Sequence, residues 1–255
     1  MIRSIILESY GQKETSFNYN LGLKLIPKFV VLNKNQYSDF CKVYQKNPAN
    51  VLQARLGTYD AYNLFLGKYQ DNNKRKNVLF FGRVSKYKGI EYLCQAMQMV
   101  HVEIPDVNVT IAGGGEYYFD IDPYKKLDYF DIRNRFISVC ELSTLVSQCD
   151  VVVCPYIDAT QSGVVMTAFS MNKPVIASNV GGLSEQIING KSGIIVEPKN
   201  SKQLADVIIS IYKKEGALNF MSNFIKSNRE VGALSWHDIA ELYLDFYNRP
   251  FFTDK

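Results

Sequence analysis

The sequence has little of what several common protein classes require. Its 255 residues include only two histidines, and its five cysteines have no metal-ligand spacing. No apolar run approaches a membrane span, and the start "MIRSIILESYGQ" has only three consecutive apolar residues, too few for a signal peptide. Basic residues are spread along the chain, which argues against a nucleic-acid surface. We therefore expect a cytoplasmic protein with buried free thiols and neither a metal nor a nucleic-acid partner.

Two familiar phosphate-binding motifs are also missing. The segment "IAGGGEYY" (111–118) has three glycines after an apolar run, but no helix pattern with the third glycine follows, so it is not a GxGxxG fingerprint. A Walker loop would need Gly-Lys-Ser/Thr, which does not occur. The glycine run alone fits either a tight turn or the close approach of a ligand.

What is present is material for a core and a regular alternation of elements. Hydrophobic residues make up 47% of the chain and charged residues 21%, as in ordinary globular proteins. The polar segment "GKYQDNNKRKN" (67–77) resembles a linker. Before it, "KFVVLN", a helical pattern and "VLQARLG" make one βαβ unit, too small for an independent core. We predict a partial domain over 1–66, a linker over 67–76, a complete domain over 77–234 and a closing helix over 235–255.

The complete domain is predicted to be α/β, with a Rossmann-like parallel sheet and helices on both faces. Five apolar runs predict strands, and helical patterns separate them; one helix places Ile90, Leu93, Ala96, Met97 and Val100 on a single face. Ser201 and Ser235 are expected N-caps of the last two helices. In such a sheet, ligands bind beyond the carboxyl ends of the strands, at the switch point of the strand order.

Polar residues follow several of these predicted strands. Gly82 and Arg83 end the first strand, and Lys88 opens a helix; a guanidinium, an ammonium and free helix N–H groups suit a diphosphate. These residues alone fit a turn with solvated side chains equally well. After "DVVVCP" (150–155), hydroxyls, an amide and Gly163 could bind an anion or sugar hydroxyls. Glu185 follows a Gly-Gly turn, and a carboxylate at this position also favours a helix N-terminus without any ligand. The loops converge if the sheet is parallel.

In their order, "GR…KG", "AGGGE", "DVVVCPY" and "KPVIAS-NVGGLSEQI-INGKSGIIVEP" resemble the retaining glycosyltransferases of family 4, whose two-domain fold is called GT-B. The resemblance covers Asn77 to about Lys214 and implies a nucleotide-sugar donor domain. Residues 1–66 resemble only the last third of the acceptor domain. The resemblance implies sugar transfer to a glycan or lipid-linked acceptor, in cell-surface polysaccharide synthesis, at the inner membrane face. No cofactor or metal is implied.

The same resemblance assigns roles to individual residues. Arg83 and Lys88 would hold the donor diphosphate, and Phe136 and Ile137 would lie near the nucleotide base. Ser162, Gly163 and Val164 would present backbone groups to the phosphate and the sugar. The whole predicted wall of the donor-sugar and phosphate pocket comprises Gly82, Asp158, Thr160, Gln161, Ser162, Gly163, Val164 and Thr167.

The sequence departs from the family pattern at two glutamates. Alignment through "KPVIAS" puts Ala159 and Thr167 where the family has a glutamate near the transferred sugar and another near the ribose. Asp158 is adjacent and is the candidate substitute. His101 and His237 both lie in the donor half, so neither matches the family's acceptor-side histidine; we interpret them as core or surface residues. The sequence therefore assigns no catalytic residue.

Three interpretations remain open at this point. The leading one is a transferase. The alternative is a donor-binding module or inactive remnant that lacks the acceptor domain, or one chain of a two-chain transferase whose partner chain supplies it. A nucleotide-sugar epimerase would share the architecture, but it would need catalytic carboxylates in both domains.

Overall fold

A computed structural model describes residues 25–68 and 76–252, and the chain divides into two compact units. Of the described residues, 25–57 and 231–252 belong to the first unit, and 58–68 and 76–230 to the second. The elements of both, in chain order, are β1 Phe29–Val31, α1 Lys34–Val43, β2 Val51–Gln53, β3 Lys76–Phe81, α2 Ile90–Glu103, β4 Val107–Ala112, α3 Asp122–Lys125, β5 Phe130–Arg133, α4 Val139–Gln148, β6 Val151–Cys154, α5 Gly163–Ser170, β7 Val175–Ser178, β8 Gly193–Val196, α6 Ser201–Lys213, α7 Ala217–Glu230 and α8 Trp236–Asn248.

The second unit is built on a six-stranded sheet in the order β5-β4-β3-β6-β7-β8. Every neighbouring pair is parallel, which confirms the predicted fold class. The central strands are buried along almost their whole length, because helices cover both faces of the sheet. The predicted apolar face of α2 is buried as well, with Ile90, Leu93, Ala96, Met97 and Val100 all out of contact with water.

Contrary to the expectation from the sequence, the first unit has its own small core around a parallel pair, β1 and β2, and Phe246 of α8 packs with Val30 and Ala54 of that unit. Phe29 and Val31 of β1 pack against Phe40 of α1 and Val51 of β2. The ammonium of Lys28 is buried and donates to the carbonyl oxygens of Phe246, Tyr247 and Arg249 at the end of α8, at 2.7, 2.9 and 2.5 Å. A cation is favourable at a helix C-terminus, so this contact fastens the closing helix to the first unit.

The unit boundaries differ from those predicted. Residues 58–66 belong to the second unit, because the 3₁₀ helix Asp60–Phe65 packs on α4 and α5. Residues 231–252, predicted partly as a separate closing segment, belong to the first unit. Of the predicted linker, residues 69–75 lie outside the described part of the chain.

Several local predictions can also be compared with the structure. The side chain of Ser235 accepts the N–H of Asp238, which confirms it as the N-cap of α8. The N-cap of α6 is Asn200 and not Ser201, since the Asn200 side chain accepts the N–H of Gln203. Cys94, Cys149 and Cys154 are buried free thiols. In the described part of the chain, no helix combines the length and apolar character needed for a membrane crossing.

Candidate donor site

The strand order places a crevice beside β3. The chain leaves β3 for β4 and β5 on one side and then returns to β6 on the other, so the connections that follow β3 and β6 run to opposite sides. This is the switch point at which open parallel sheets bind ligands. The sequence-predicted site residues belong largely to these loops.

Glycines allow direct contact between the backbone segments that follow β3 and β4. The N–H of Gly82 donates to the carbonyl of Ala112 at 3.0 Å, and the N–H of Val84 donates to that of Gly114 at 3.0 Å. Gly113 has φ +152°, and a Cβ there would lie 1.9 Å from the Gly82 oxygen. Only glycine permits this approach, which resolves the glycine run as a close backbone contact beside the site.

A cavity of about 360 Å³ opens at these strand ends. Four predicted site residues share it: Gly82, Arg83, Phe136 and Ile137. Arg83 is exposed, and the Phe136 side chain is 85% exposed, so a flat ring is available to a ligand. The complete lining comprises Phe81, Gly82, Arg83, Ala112, Gly113, Gly114, Arg135, Phe136, Ile137 and Leu142.

Arg135, which the sequence reasoning missed, also lines this cavity. Its guanidinium donates to both carboxylate oxygens of Glu141, at 2.6 and 2.8 Å, and Arg133 donates to the same carboxylate at 3.0 Å. The hydrogen bonds from Arg135 lower the pKa of Glu141, against the opposing effect of burial. This network fixes the loop that carries Phe136.

Lys88 is half-buried above an aromatic ring. Its ammonium nitrogen lies 3.7 Å from the ring centroid of Tyr156 and 5.0 Å from that of Tyr87. The Tyr156 side chain is fully buried. Burial lowers the pKa of Lys88 to about 8, although the nearby Cys154 has the opposite effect. Within the described residues the ammonium contacts no carboxylate.

Tyr156 connects Lys88 to the predicted sugar wall. Its hydroxyl lies 3.3 Å from the hydroxyl of Ser162. The N–H of Ser162 donates to the side chain of Gln186 at 2.9 Å, so this backbone group is engaged within the protein and is not presented to a ligand. Gln186 follows Glu185 in the 3₁₀ helix Ser184–Gln186, which therefore supports the Ser162 loop.

The first turn of α5 completes the junction. A Cβ on Gly82 would lie 3.8 Å from Val164, so the loop after β3 and the start of α5 are adjacent. The ring of Tyr59 lies over Gly163. Thr167 is buried and donates to the Gly163 carbonyl at 2.9 Å. Asp158 and Thr160 are exposed and do not line the cavity, and Gln161 is half-buried.

The structure places six of the twelve predicted residues on two lines of contact, and of these six Lys88 and Ser162 do not line the cavity. One runs through the cavity from Arg83 to Phe136, and the other runs from Lys88 through Tyr156 to Ser162. Sequence reasoning missed Tyr59, Arg135, Tyr156 and Gln186. For Tyr156 the sequence did contain an indication, because this aromatic residue directly follows the apolar run "DVVVCP" at the end of a predicted strand.

Solved structures that share this fold are GT-B-like glycosyltransferases. The structure of Anabaena Alr3699/HepE in complex with UDP superposes with a TM-score of 0.72 at 16% identity, over 96% of this chain and 71% of that one. At that identity the likeness concerns the fold.

The sequence comparison identifies the family. Residues 75–214 match the family described as Glycosyl transferases group 1, and the chain belongs to that family. It is 31% identical to an uncharacterized glycosyltransferase of Methanocaldococcus jannaschii over 70% of this chain and 45% of that protein. It is 27% identical to a D-inositol 3-phosphate glycosyltransferase of Arthrobacter sp., over 68% and 45%. The matches therefore span about half the length of these curated relatives.

Proposed function

We propose that the protein binds a nucleotide-sugar donor and transfers its sugar to a glycan or lipid-linked acceptor, in cell-surface polysaccharide synthesis. The observation that carries the proposal is a strand-end cavity lined by Arg83, together with the half-buried ammonium of Lys88, which contacts no carboxylate of the described residues. Such cations suit a diphosphate. Support comes from the named transferases among the relatives and from the UDP bound in the Anabaena structure.

In this proposal different residues of the two lines of contact bind different parts of the donor. Arg83 and Lys88 bind the diphosphate, and Phe136 and Ile137 lie against the base. The α5 junction faces the sugar through Gly163 and Val164, because the N–H of Ser162 is already bonded to Gln186. The diphosphate leaves with a growing negative charge, and preorganised cations stabilise such charge strongly.

The proposed reaction needs neither a cofactor nor a metal, because Arg83 and Lys88 supply the positive charge. An Asp-x-Asp pair occurs at Asp120 and Asp122, but both carboxylates are engaged locally. Asp122 forms an ion pair with Lys125 at 2.8 Å, and Asp120 accepts the N–H of Asp122 at 3.1 Å. Transfer unchanged by a chelator would support this part of the proposal.

Retention of the anomeric configuration is the finer part of the proposal. The resemblance to family 4 implies it, but the loop offers no glutamate at position 159 or 167. Asp158 is the nearest carboxylate in sequence to the junction. Analysis of the product anomer by NMR would test retention directly, and an inverted product would overturn it.

A second candidate, a donor-binding module or remnant, is favoured by one observation. Where the family has a ribose-proximal glutamate, the Thr167 hydroxyl is buried and bonded inside its own helix, so it cannot take that role. Such a module would bind nucleotide but show no turnover alone. Addition of a partner chain that carries the acceptor domain would restore transfer if the enzyme has two chains. A lipid-linked acceptor would place the protein at the inner membrane face.

The test is a panel of UDP, GDP, ADP and their sugar conjugates in a thermal-unfolding assay. A ligand that binds only the folded state stabilises it by about 2.7 kcal/mol at one hundred times its Kd. Stabilisation by one nucleotide family, with a smaller effect of the nucleoside, would support donor binding. Equal unfolding temperatures with every compound would overturn it.

A further inference from the structure

The most unusual feature of the proposed site is that the ammonium of Lys88 contacts two aromatic rings and, among the described residues, no carboxylate. The Tyr156 centroid lies 3.7 Å from the ammonium, within the range of a cation–π contact. The centroid of the Tyr87 ring lies 5.0 Å from the same ammonium nitrogen. The rings of Tyr87 and Tyr156 pack edge to face, with their centroids 6.3 Å apart. Two aromatic residues therefore define the position of one ammonium.

The choice of partner matters for the charge that Lys88 can offer. A carboxylate would order the side chain but would also neutralise it, and an incoming anion would have to displace it. An aromatic face attracts the cation through its quadrupole and adds no negative charge. The rings thus order a long, flexible side chain while its full charge stays available to an anion.

Tyr156 is itself firmly placed. Its side chain is fully buried at the end of β6, and its hydroxyl lies 3.3 Å from that of Ser162. The next residue, Ile157, donates its N–H to the carbonyl of Tyr87 at 2.7 Å, which ties the two ring-bearing loops together. A rigid platform therefore links the ammonium to the loop that starts α5.

We infer that Tyr156 is a positioning residue that holds the ammonium of Lys88 at the donor diphosphate without neutralising its charge and ties it to the Ser162 loop. The inference rests on the proposed donor binding. The inference extends the proposed donor binding to Tyr156, which contacts Lys88 and does not itself contact the donor. The lowered pKa of Lys88, caused by burial, is consistent with a cation that gains from an anion in contact with it.

The experiment compares Tyr156→Phe with Tyr156→Leu, alone and combined with Lys88→Met. Calorimetry with UDP, GDP, ADP, uridine and inorganic pyrophosphate measures Kd for each protein. Tyr156→Phe keeps the ring and should bind UDP within about threefold of the natural protein. Tyr156→Leu removes the ring and should weaken UDP by about 5- to 30-fold, while uridine binding changes little. In the Lys88→Met background, the leucine variant should add no more than about twofold, because there is no cation left to position.

Tyr212 provides a matched control at the opposite end of the sheet. It is a half-buried tyrosine whose hydroxyl donates to Asp150 at 3.0 Å, and the ammonium of Lys76 lies 6.0 Å from its ring. Tyr212→Leu should lower the unfolding temperature but leave the UDP Kd within about twofold. Loss of UDP binding in this variant as well would show that any damage to the unit acts on the site, and would overturn the inference.

The remaining outcomes separate this inference from the proposed function. If the natural protein binds UDP and the leucine effect is equally large without Lys88, Tyr156 acts through packing and the inference alone fails. If the natural protein binds pyrophosphate but none of UDP, GDP and ADP, the donor proposal fails, and the same variants still measure the coupling with pyrophosphate. If it binds none of the four, both are overturned.

Discussion

The two ends of the sheet in the second unit treat charged and polar groups differently. At the amino end, Lys76 forms an ion pair with Asp106 at 3.0 Å, and Asp150 accepts hydrogen bonds from the Asn77 N–H and the Tyr212 hydroxyl. At the carboxyl end, Lys88 contacts aromatic rings and no carboxylate of the described residues. Each end pairs a lysine with a tyrosine, yet only one end neutralises the lysine charge.

We take this difference as support for the proposed ligand site at the carboxyl end of the sheet. Paired polar groups satisfy the hydrogen-bonding needs of the backbone where strands begin. A half-buried, unneutralised ammonium has an electrostatic cost in the free protein that an anion would relieve. The ligand site is therefore proposed at the carboxyl end of the sheet, where no carboxylate of the described residues neutralises Lys88.

The largest effect is expected from a change that disrupts the backbone contact between the segments after β3 and β4. Gly113→Ala should reduce the free energy of unfolding by about 3 kcal/mol or more, because a Cβ at φ +152° would meet the Gly82 oxygen at 1.9 Å. Urea denaturation measures this free energy of unfolding. Gly216→Ala is the control, with φ +74° and no atom near its Cβ, and should cost only about 1 kcal/mol. Equal costs would mean that the close approach of the two strands is not required.

Removal of the site cations should affect binding and not the fold. Arg83→Ala and Lys88→Ala should each weaken UDP by about 10- to 150-fold, since hydrogen bonds to charged groups contribute roughly 1.5–3 kcal/mol. Titration with UDP and with uridine measures this. Uridine should be little affected, because neither side chain is proposed to touch the base. Equal weakening of both ligands would indicate unfolding, and no weakening would leave Arg83 and Lys88 as ordinary surface charges.

A change at the amino end of the sheet should lower the stability of the protein and leave UDP binding unchanged. Asp150→Ala leaves the Asn77 N–H and the Tyr212 hydroxyl without their acceptor and should cost about 2 kcal/mol of stability. The UDP Kd should stay within about twofold. Asp150→Asn keeps one acceptor oxygen and should cost less. A UDP affinity that fell as steeply as in the Lys88 variant would erase the functional contrast between the two ends.

The smallest effect concerns pH. Burial lowers the pKa of Lys88 to about 8, below its value in the unfolded chain, so the unfolded state binds more protons between about pH 8 and 10.4. The contribution of Lys88 to stability therefore rises with pH in this window. Cys154, Tyr87 and Tyr156 face the ammonium. Relative to Lys88→Met, the natural protein should gain at most about 1 kcal/mol from pH 7.5 to 9.5, measured by urea denaturation. A constant difference would contradict the lowered pKa.

Periodicity allowed much of the second unit to be predicted. The continuous apolar runs around Val78 and Val152 indicated buried parallel strands, and the spacing of Ile90 to Val100 indicated the buried face of α2. The strand β5 and the helix α7 were not predicted. The sequence of β5, "FDIR", mixes charged and apolar residues as an edge strand can, and only Met221 and Ile225 are buried in α7. A weakly apolar segment gives little periodic signal.

The amino-acid sequence by itself determined the parallel α/β architecture and the loops in which site residues occur, because burial on both sheet faces demands long apolar runs and polar residues then collect at strand ends. Tertiary structure alone decided which of those residues meet. Tyr156 and Lys88 are 68 positions apart, and neither reveals its partner, since their contact depends on β3 and β6 being neighbours in the sheet. The same holds for Gln186, whose bond to Ser162 joins loops that follow different strands. Local pattern records what each segment buries, whereas the pairing of segments is a property of the whole fold.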